Sequence, residues 1–284
     1  MRVVDEAAIK AHGAVRFRSE YHYAVFEYWR SAKLMRYLER AGIREFGHVL
    51  DDGCGGGGMC VSFAEETSSV VGIEPTERFR DTGVRLAREK GVGNVRFLQA
   101  DGTRLPFPDG TFDLVLSHAV IEHVADAPAY LREARRVLKP GGVCYLETAP
   151  YLSPHGAHLP RLKVPVPLHL IVGRRAAFAF SCWATRRHPA WLATPPEGSS
   201  FAAAIRRGEP KVDDLLYPVT LRRLRRDIAG AGLRVVREDL YVSRLALRVL
   251  PRPISARMSR LPFVRDVLIT TMEYVLAGAE EVVS

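Results

Sequence analysis

The chain has 284 residues, of which 47% are apolar and 26% are charged, so it is long enough to enclose a large core and lacks the composition of a disordered protein. Residues 1–20 are charged and contain no apolar stretch of the kind found in secretory signal peptides. Nowhere do about 18 apolar residues follow one another, as a membrane-spanning helix requires. These features argue against a secreted or membrane-spanning protein and predict a cytoplasmic one.

The charge is basic and unevenly distributed. The formal net charge is +9, and residues 151–226 contain 13 Lys and Arg against 4 Asp and Glu. Such a surface can attract phosphate, nucleic acid, anionic lipid or an acidic substrate. No basic segment interleaved with aromatic residues and no nucleic-acid module is present, so nucleic acid is not expected as a partner. The four cysteines, Cys54, Cys60, Cys144 and Cys182, form no Cys-x-x-Cys pair and are expected to be reduced thiols.

Helices and strands alternate along the first half of the chain. Apolar residues at helical spacing over 26–41 predict an amphipathic helix that Gly42 ends. A first strand then passes through Val49 and Leu50 into a glycine-rich loop. Further predicted elements follow in order: helix 58–67, strand 69–74, helix 76–90 with Thr76 as its N-cap, strands 95–98 and 112–117, a helix capped by Asp126 and closed by residues 139–142, and strand 143–148.

This alternation breaks after residue 148. Residues 151–218 are rich in Pro, Arg, His and aromatic side chains and are expected to form a lid-like insertion over the strand ends. A helix at 219–231 and strands at 233–243 and 270–276 follow, and the two strands are expected to pair antiparallel at the sheet edge. The predicted fold is therefore α/β: a doubly wound, Rossmann-like, mostly parallel seven-stranded sheet with an antiparallel edge hairpin.

The loop at residues 53–58 is the segment most informative about function. A strand that runs into glycines lets a ligand lie on the backbone, where a side chain would block it. Gly53, Gly55 and Gly58 satisfy the spacing Gly-x-Gly-x-x-Gly, which is compatible with NAD, FAD or S-adenosylmethionine. Glu74, at the end of the second strand, can accept both ribose hydroxyls and so does not separate NAD from an adenosyl cofactor. Asp101, after the third strand, can accept a hydrogen bond from the exocyclic amine of adenine.

Six ordered motifs within residues 45–150 resemble those of the class I S-adenosylmethionine-dependent methyltransferases, specifically the small-molecule enzymes with the pattern Val-Leu-Asp-x-Gly-Cys-Gly-x-Gly. They lie at residues 49–57, 71–75, 100–107, 112–115, 121–124 and 136–142. The resemblance implies S-adenosyl-L-methionine as the cofactor. It also implies a cofactor site built from the glycine loop and the ends of the next three strands: Asp51, Gly53, Cys54, Gly55, Gly57, Glu74, Pro75, Asp101, Gly102, Thr103, Ser117 and His118.

Within that site the resemblance places Asp51, with Gly53 and Gly55, around the methionine moiety. It places Glu74 on the ribose, Asp101 and Gly102 at the adenine, and Ser117 or His118 near the methionine end. Asp52 departs from the family, which often has an uncharged residue there. Two adjacent carboxylates on a strand point to opposite faces, and Asp51 is favoured as the one that reaches the cofactor.

Four residues near the strand ends are candidate catalytic residues: Tyr151, His155, His158 and His123. A histidine there can take a proton from an acceptor hydroxyl as the methyl group arrives. Each histidine can equally order its own loop. No metal is expected, because His155, His158 and His169 lack a carboxylate or thiol at a spacing that would complete a site.

Three further features have alternative interpretations. Asp113 is interpreted as fixing the backbone at the sheet end, and the aromatic residues at 21–29 either cover the cofactor or, as favoured here, pack within their helix. The apolar and basic residues at 159–183 could lie on a membrane surface, but Pro165, Pro167 and the arginines at 174–175 favour a folded lid.

The sequence thus predicts a methyltransferase of a small molecule, with a hydroxyl of a sugar, polyketide or other secondary metabolite as the leading acceptor and an acidic, phosphorylated or lipid-linked acceptor suggested by the basic insertion. The alternatives are a C- or N-methyltransferase of a small molecule or lipid-linked acceptor, an RNA methyltransferase, an NAD-dependent oxidoreductase and a noncatalytic cofactor binder. The expected parts are an N-terminal helical cover (1–44), a cofactor-binding core (45–150), the insertion (151–218), and a C-terminal helix with edge strands (219–284).

Overall fold

The computed structural model describes residues 3–153, 159, 168–192, 217–242 and 262–279. These residues form a single sheet of seven strands: β1 His48–Asp52, β2 Ser69–Glu74, β3 Val95–Gln99, β4 Phe112–His118, β5 Leu138–Thr148, β6 Leu233–Val242 and β7 Ile269–Gly278. The order across the sheet is β3-β2-β1-β4-β5-β7-β6.

The first five strands are parallel, and β7 runs antiparallel between β5 and β6. In this register Ala277 of β7 lies opposite Val143 of β5 on one side and opposite Arg234 of β6 on the other. The predicted mostly parallel sheet with an antiparallel edge pair is therefore confirmed.

Helices cover both faces of the sheet. They are α1 Glu6–Val15, α2 Glu20–Arg40, α3 Gly58–Ala64, α4 Gly83–Lys90, α5 Ala127–Val137, α6 Leu168–Ile171, α7 Arg174–Arg187, α8 Leu221–Gly230 and α9 Pro262–Leu268. On one face α5 and α8 bury Leu131 and Leu224 against the strands. On the other face α2 and α3 bury Met35 and Phe63.

The amphipathic helix predicted before the first strand is α2, and it is closely joined to the core. It crosses α3 so tightly that a Cβ atom at Gly58 would lie 2.0 Å from the carbonyl oxygen of Ala24. The preceding helix α1 was not predicted, although Asp5 caps it by accepting a hydrogen bond from the amide of Ala8 at 2.9 Å.

The helix predicted at 76–90 is wrong at its start. It begins only at Gly83, and Thr76 is not its N-cap, because the Thr76 hydroxyl donates to Glu74 Oε1 at 3.2 Å. The intervening turn is held by Thr82, whose hydroxyl donates to the carbonyl oxygen of Gly56 at 2.7 Å. Within this irregular segment the Arg78 guanidinium lies 3.4 Å from Glu74 Oε2.

The closing turn predicted at 139–142 is also wrong, since these residues belong to β5. Helix α5 ends at Val137, and Leu138 pairs with Phe112 at the start of the strand. The register shifts before Val143 pairs with Leu114, so the strand accommodates the glycines as an irregularity. The other end of α5 is as predicted, because Asp126 accepts a hydrogen bond from the amide of Ala129.

Within the predicted insertion, residues 168–192 form α6, α7 and a short 3-10 helix, Pro189–Trp191. The predicted division of the chain at 44, 150 and 218 stays a prediction. No helix in the described ranges is both long enough and apolar enough to cross a bilayer.

Candidate cofactor and acceptor site

A cavity of about 500 Å³ opens between the glycine loop and the first two helices. Its wall is formed by Gly53 to Gly56 on one side and by Arg16, Tyr23, Glu27 and Arg30 on the other. The carboxyl end of the sheet closes it through His118, Ala119 and Glu147. The cavity therefore lies where open α/β sheets bind their ligands.

The glycine loop takes a shape that only glycine allows at its first position. Gly53 has a φ of +85°, and a Cβ atom there would lie 2.5 Å from the Val120 side chain. The amides of Gly53 and Cys54 both donate to the carbonyl oxygen of Ile73, which ties the loop to the end of β2. The backbone is thus exposed to a ligand without a side chain in the way.

Glu74 is buried at the end of β2 and faces this loop. Its carboxylate accepts hydrogen bonds from the amide of Gly55 at 3.1 Å and from the Arg78 guanidinium at 3.4 Å. Together with the Thr76 hydroxyl, these donors fix the orientation of the carboxylate beside the glycine backbone.

Asp51 and Asp52 lie on opposite sides of β1, as predicted. Asp51 accepts a hydrogen bond from the Cys60 thiol at 3.1 Å, and burial raises the pKa of Asp51 to about 7. Asp52 lies against Gly102, where a Cβ atom would be 2.5 Å from Asp52 Oδ1. Burial raises the pKa of Asp52 well above its usual range, and Asp52 Oδ2 has no hydrogen-bond partner among the described residues.

Asp101 lies in the turn after β3. Its Oδ1 accepts hydrogen bonds from both the amide and the hydroxyl of Thr103, each at 2.8 Å, and the side chain is exposed. Gly102 is buried against the Tyr130 ring. The predicted adenine-binding turn is therefore well ordered, although none of its residues lines the cavity.

The two candidates at the end of β4 separate into different environments. Ser117 is buried and accepts a hydrogen bond from the Tyr130 hydroxyl at 2.8 Å, so it faces α5. His118 lines the cavity, with Nε2 at 2.6 Å from the Arg30 guanidinium and Nδ1 at 2.7 Å from Glu147 Oε2.

His118 belongs to a charged group that the sequence did not predict: Glu27, Arg30 and Glu147. Burial raises the pKa of Glu27. Burial also acts to raise the pKa of Glu147, but the neighbouring His118 and Arg30 outweigh it and hold that pKa below its usual value. Glu27 and Arg30 are three residues apart on one face of α2, a spacing that could have suggested a charged patch on an otherwise aromatic helix.

The two candidate catalytic residues that the structure describes, His123 and Tyr151, are not brought together. His123 lines the cavity from the 3-10 helix Ile121–His123. Tyr151 does not line it, because its ring packs edge-on against His169 and its carbonyl oxygen lies 2.9 Å from His169 Nε2. His155 and His158 lie outside the described residues. No cluster of His, Cys, Asp and Glu that could hold a metal occurs in the described part of the chain.

The remaining interpretations are largely structural. Asp113 accepts hydrogen bonds from the amide of His48 and from Lys139, which confirms that it fixes the sheet end. In the aromatic cluster, Trp29 stacks on His12 and Tyr28 donates to Glu65, whereas Tyr23 lines the cavity. Helix α2 thus packs through Tyr28 and Trp29 and lines the cavity through Tyr23, and the covering of a cofactor stays a prediction. The four cysteines are free thiols.

A family model described as a methyltransferase domain matches residues 50–146. YcgJ of Bacillus subtilis, an uncharacterized methyltransferase, is 34% identical over 133 residues, which are 45% of this chain and 53% of that protein. An uncharacterized methyltransferase of Mycobacteroides abscessus is 28% identical over 228 residues, or 80% of this chain and 75% of that one. The chain spans about half the length of most of the curated relatives it matches.

Solved structures show the same fold. The crystal structure of YcgJ matches with a TM-score of 0.51 and 18% identity, over 87% of this chain and 97% of that chain. A SAM dependent methyltransferase from Aquifex aeolicus matches with a TM-score of 0.50 and 15% identity, over 93% and 97%.

Proposed function

We propose that this chain, whose residues 50–146 match a methyltransferase domain, is a class I S-adenosylmethionine-dependent methyltransferase that methylates a hydroxyl group of a small molecule such as a sugar, a polyketide or another secondary metabolite. The observation that carries the proposal is the hydrogen bond that Glu74, which does not itself line the cavity, accepts from the amide of Gly55, which does. The Glu74 carboxylate would accept hydrogen bonds from the ribose hydroxyls. The glycine backbone would leave room for the rest of the cofactor.

The charges around the loop fit S-adenosyl-L-methionine better than a dinucleotide. Asp51 and Asp52 are buried just before the glycines, and Asp52 Oδ2 lacks a hydrogen-bond partner among the described residues. A pyrophosphate placed on this loop would be repelled by Asp51 in its charged form, whereas an ammonium or sulfonium group would favour that form. Asp51, Gly53 and Gly55 would hold the methionine moiety, Glu74 the ribose, and Asp101 with Gly102 the adenine.

The bound cofactor would supply an electrophilic methyl group. The residues of the chain would then position the acceptor in line with that group and exclude water, which accounts for most of the acceleration in a displacement that needs no protonated leaving group. His123 is the candidate proton acceptor that lines the cavity. His155, His158 and Tyr151 are proposed to serve the acceptor side from the segment that follows β5.

Titration calorimetry tests the cofactor. We expect S-adenosylhomocysteine to bind and NAD and NADH to give no heat of binding; the opposite pattern would identify an oxidoreductase. Incubation of a cell extract with the protein and isotopically labelled S-adenosylmethionine, followed by mass spectrometry, then identifies the acceptor. Cofactor binding without label transfer to any extract component would contradict the proposed methyl transfer.

A further inference from the structure

The outward face of α7 is apolar where a solvent-facing helix would normally be polar. Ala176, Ala179 and Trp183 are exposed at helical spacing, and Phe180 between them is partly exposed. The opposite face holds the buried residues of the helix, among them Ala177 and Ala184. The helix therefore presents an apolar stripe away from the residues that bury it.

Neighbouring residues extend the stripe into a larger patch. Ile171 and Val172, just before α7, are 66% and 49% exposed, and Trp183 and Trp191 are 45% and 46% exposed. The Trp191 ring stacks on His188 with centroids 4.3 Å apart, and Trp183 packs against both. We call residues 168–192 the aromatic patch. Exposed apolar patches with polar rims typically mark interaction sites.

The rim of the aromatic patch is positively charged. Arg174 and Arg175 begin α7, and Arg186 and Arg187 end it. Residues 151–196 contain no Asp or Glu at all. The patch thus combines exposed tryptophans with arginine pairs at both ends, the composition of helices that lie in the interface of an anionic bilayer.

The charges disfavour other occupants. Two copies of α7 packed in parallel or antiparallel would in either case bring arginine pairs of the same sign together. A nucleic acid would use the arginines but would leave the aliphatic Ile171 and Val172 in contact with sugar and phosphate. An anionic lipid surface matches both the aliphatic groups and the cationic rim.

We propose that the aromatic patch docks this protein onto membranes rich in anionic lipid. His169 of α6 is hydrogen-bonded through Nε2 to the carbonyl oxygen of Tyr151. This contact joins α6 to the segment that follows β5. That segment emerges at the same edge of the sheet as the glycine loop. The next step rests on the proposed function: docking would bring the acceptor side of the site toward the bilayer. The acceptor would then be a lipid-linked or amphipathic hydroxyl compound.

Vesicle binding by the full chain tests the docking. We expect cosedimentation with vesicles of equal phosphatidylglycerol and phosphatidylcholine, weakened by added salt, and little binding to phosphatidylcholine alone. Tryptophan emission should shift to shorter wavelength on binding, and Trp183→Phe with Trp191→Phe should remove that shift, because Trp29 is packed against His12. Equal binding to both vesicle types would overturn the role of the arginines.

Matched variants distinguish vesicle binding through the aromatic patch from vesicle binding through the overall positive charge of the protein. Arg186→Gln with Arg187→Gln should weaken vesicle binding about 25-fold, from about fivefold for each arginine near an anionic surface. Trp183→Ser with Trp191→Ser should abolish it. The control, Arg88→Gln with Arg132→Gln, removes the same charge from exposed positions on α4 and α5 and should bind like the unaltered protein.

Each variant is checked for folding by circular dichroism and for binding of S-adenosylhomocysteine. Loss of vesicle binding in the control pair, or RNA binding in place of vesicle binding, would overturn the proposal. Vesicle binding that persists in a protein unable to bind S-adenosylhomocysteine would contradict the proposed function and leave the docking surface intact.

Discussion

Glu74 accepts hydrogen bonds from three donors: the amide of Gly55 in the glycine loop, the Thr76 hydroxyl and the Arg78 guanidinium. The Arg78 side chain is half exposed, so the ion pair itself contributes little. The amide of Gly55 fixes the orientation of the buried carboxylate. The proposed ribose-binding role predicts that substitutions at this position weaken cofactor binding.

We expect Glu74→Gln and Asp101→Asn each to weaken binding of S-adenosylhomocysteine about 10-fold to 100-fold, because each removes a charged hydrogen-bond acceptor. Calorimetry gives the affinities, and thermal melting checks that the fold is kept. Glu77→Gln, an exposed carboxylate one turn away that pairs with Arg80, is the matched control. Unchanged affinity in both site variants would remove these residues from the cofactor site.

Asp51 makes stability depend on pH. Its folded pKa of about 7 exceeds the usual value of 3.8, so between these pH values the folded state keeps a proton that the unfolded state has lost. Asp51 should therefore lower the free energy of unfolding as pH rises from about 4 to about 7, by roughly 4 kcal/mol at most, and Asp52, whose pKa is also raised, should add to the decline.

Urea denaturation across that pH range, compared between the unaltered chain and Asp51→Asn, measures this contribution. The variant should show a shallower decline with pH. Parallel pH curves for the two proteins would show that Asp51 ionises in the folded state as it does in the unfolded one.

Local sequence was sufficient to place the glycine loop, which lines the cavity through Gly53 and Gly55, because the loop directly follows an apolar run. The cofactor-binding roles of Asp51 and Glu74 at the strand ends stay predictions. Arg30 and Glu147 were not predicted, because they reach His118 from a helix before the first strand and from the end of the fifth strand. Only the folded sheet brings these distant segments together.

At the scale of elements, the crossing of α2 over α3 sets the width of the cavity. Residues that line the cavity, such as Tyr23 and Arg30, lie on α2, and Gly58 at the start of α3 is where the two helices touch. Any side chain at that point must push the backbone of Ala24 away, since the clash is with a main-chain oxygen and not with a flexible group.

Gly58→Ala should therefore destabilise the protein by about 1–3 kcal/mol and also weaken binding of S-adenosylhomocysteine, because it displaces α2 from the cavity. Gly230→Ala is the control: it is also a helical glycine, has open space around its Cβ position, and should be neutral or slightly stabilising. Thermal and urea unfolding measure the first effect and calorimetry the second. Equal stability of the two variants would show that α2 can move without cost.

Elements with strong periodicity were predicted well, and the errors fall at their boundaries. All seven strands were expected near their observed positions, since each contains apolar residues of high strand propensity, although β6 also includes four charged residues. The start of α4 was misplaced because polar residues at 76–82 have adequate helix propensity, while the actual turn depends on the contact from Thr82 to Gly56. That contact joins segments 26 residues apart and leaves no local signal.

For the whole molecule, a ligand that binds only the folded state should raise the melting temperature. S-adenosylhomocysteine at about 100 times its Kd should add about 2.7 kcal/mol to the free energy of unfolding. Differential scanning fluorimetry with increasing ligand measures this, with NADH as the comparison. A shift with NADH and none with S-adenosylhomocysteine would contradict the cofactor assignment.

The antiparallel strand β7 sits between β5 and β6, yet both of its neighbours precede it in the chain. During synthesis on the ribosome, β5 therefore leaves an unpaired edge, and β6 has no strand to join, until β7 has emerged. Such an edge is a template for association between nascent chains. The paired residues of β5 and β7 are more than a hundred positions apart in the chain. Because contacts between distant segments form slowly, the insertion of β7 between β5 and β6 should be slow. Slow refolding or misassembly should therefore originate at this step.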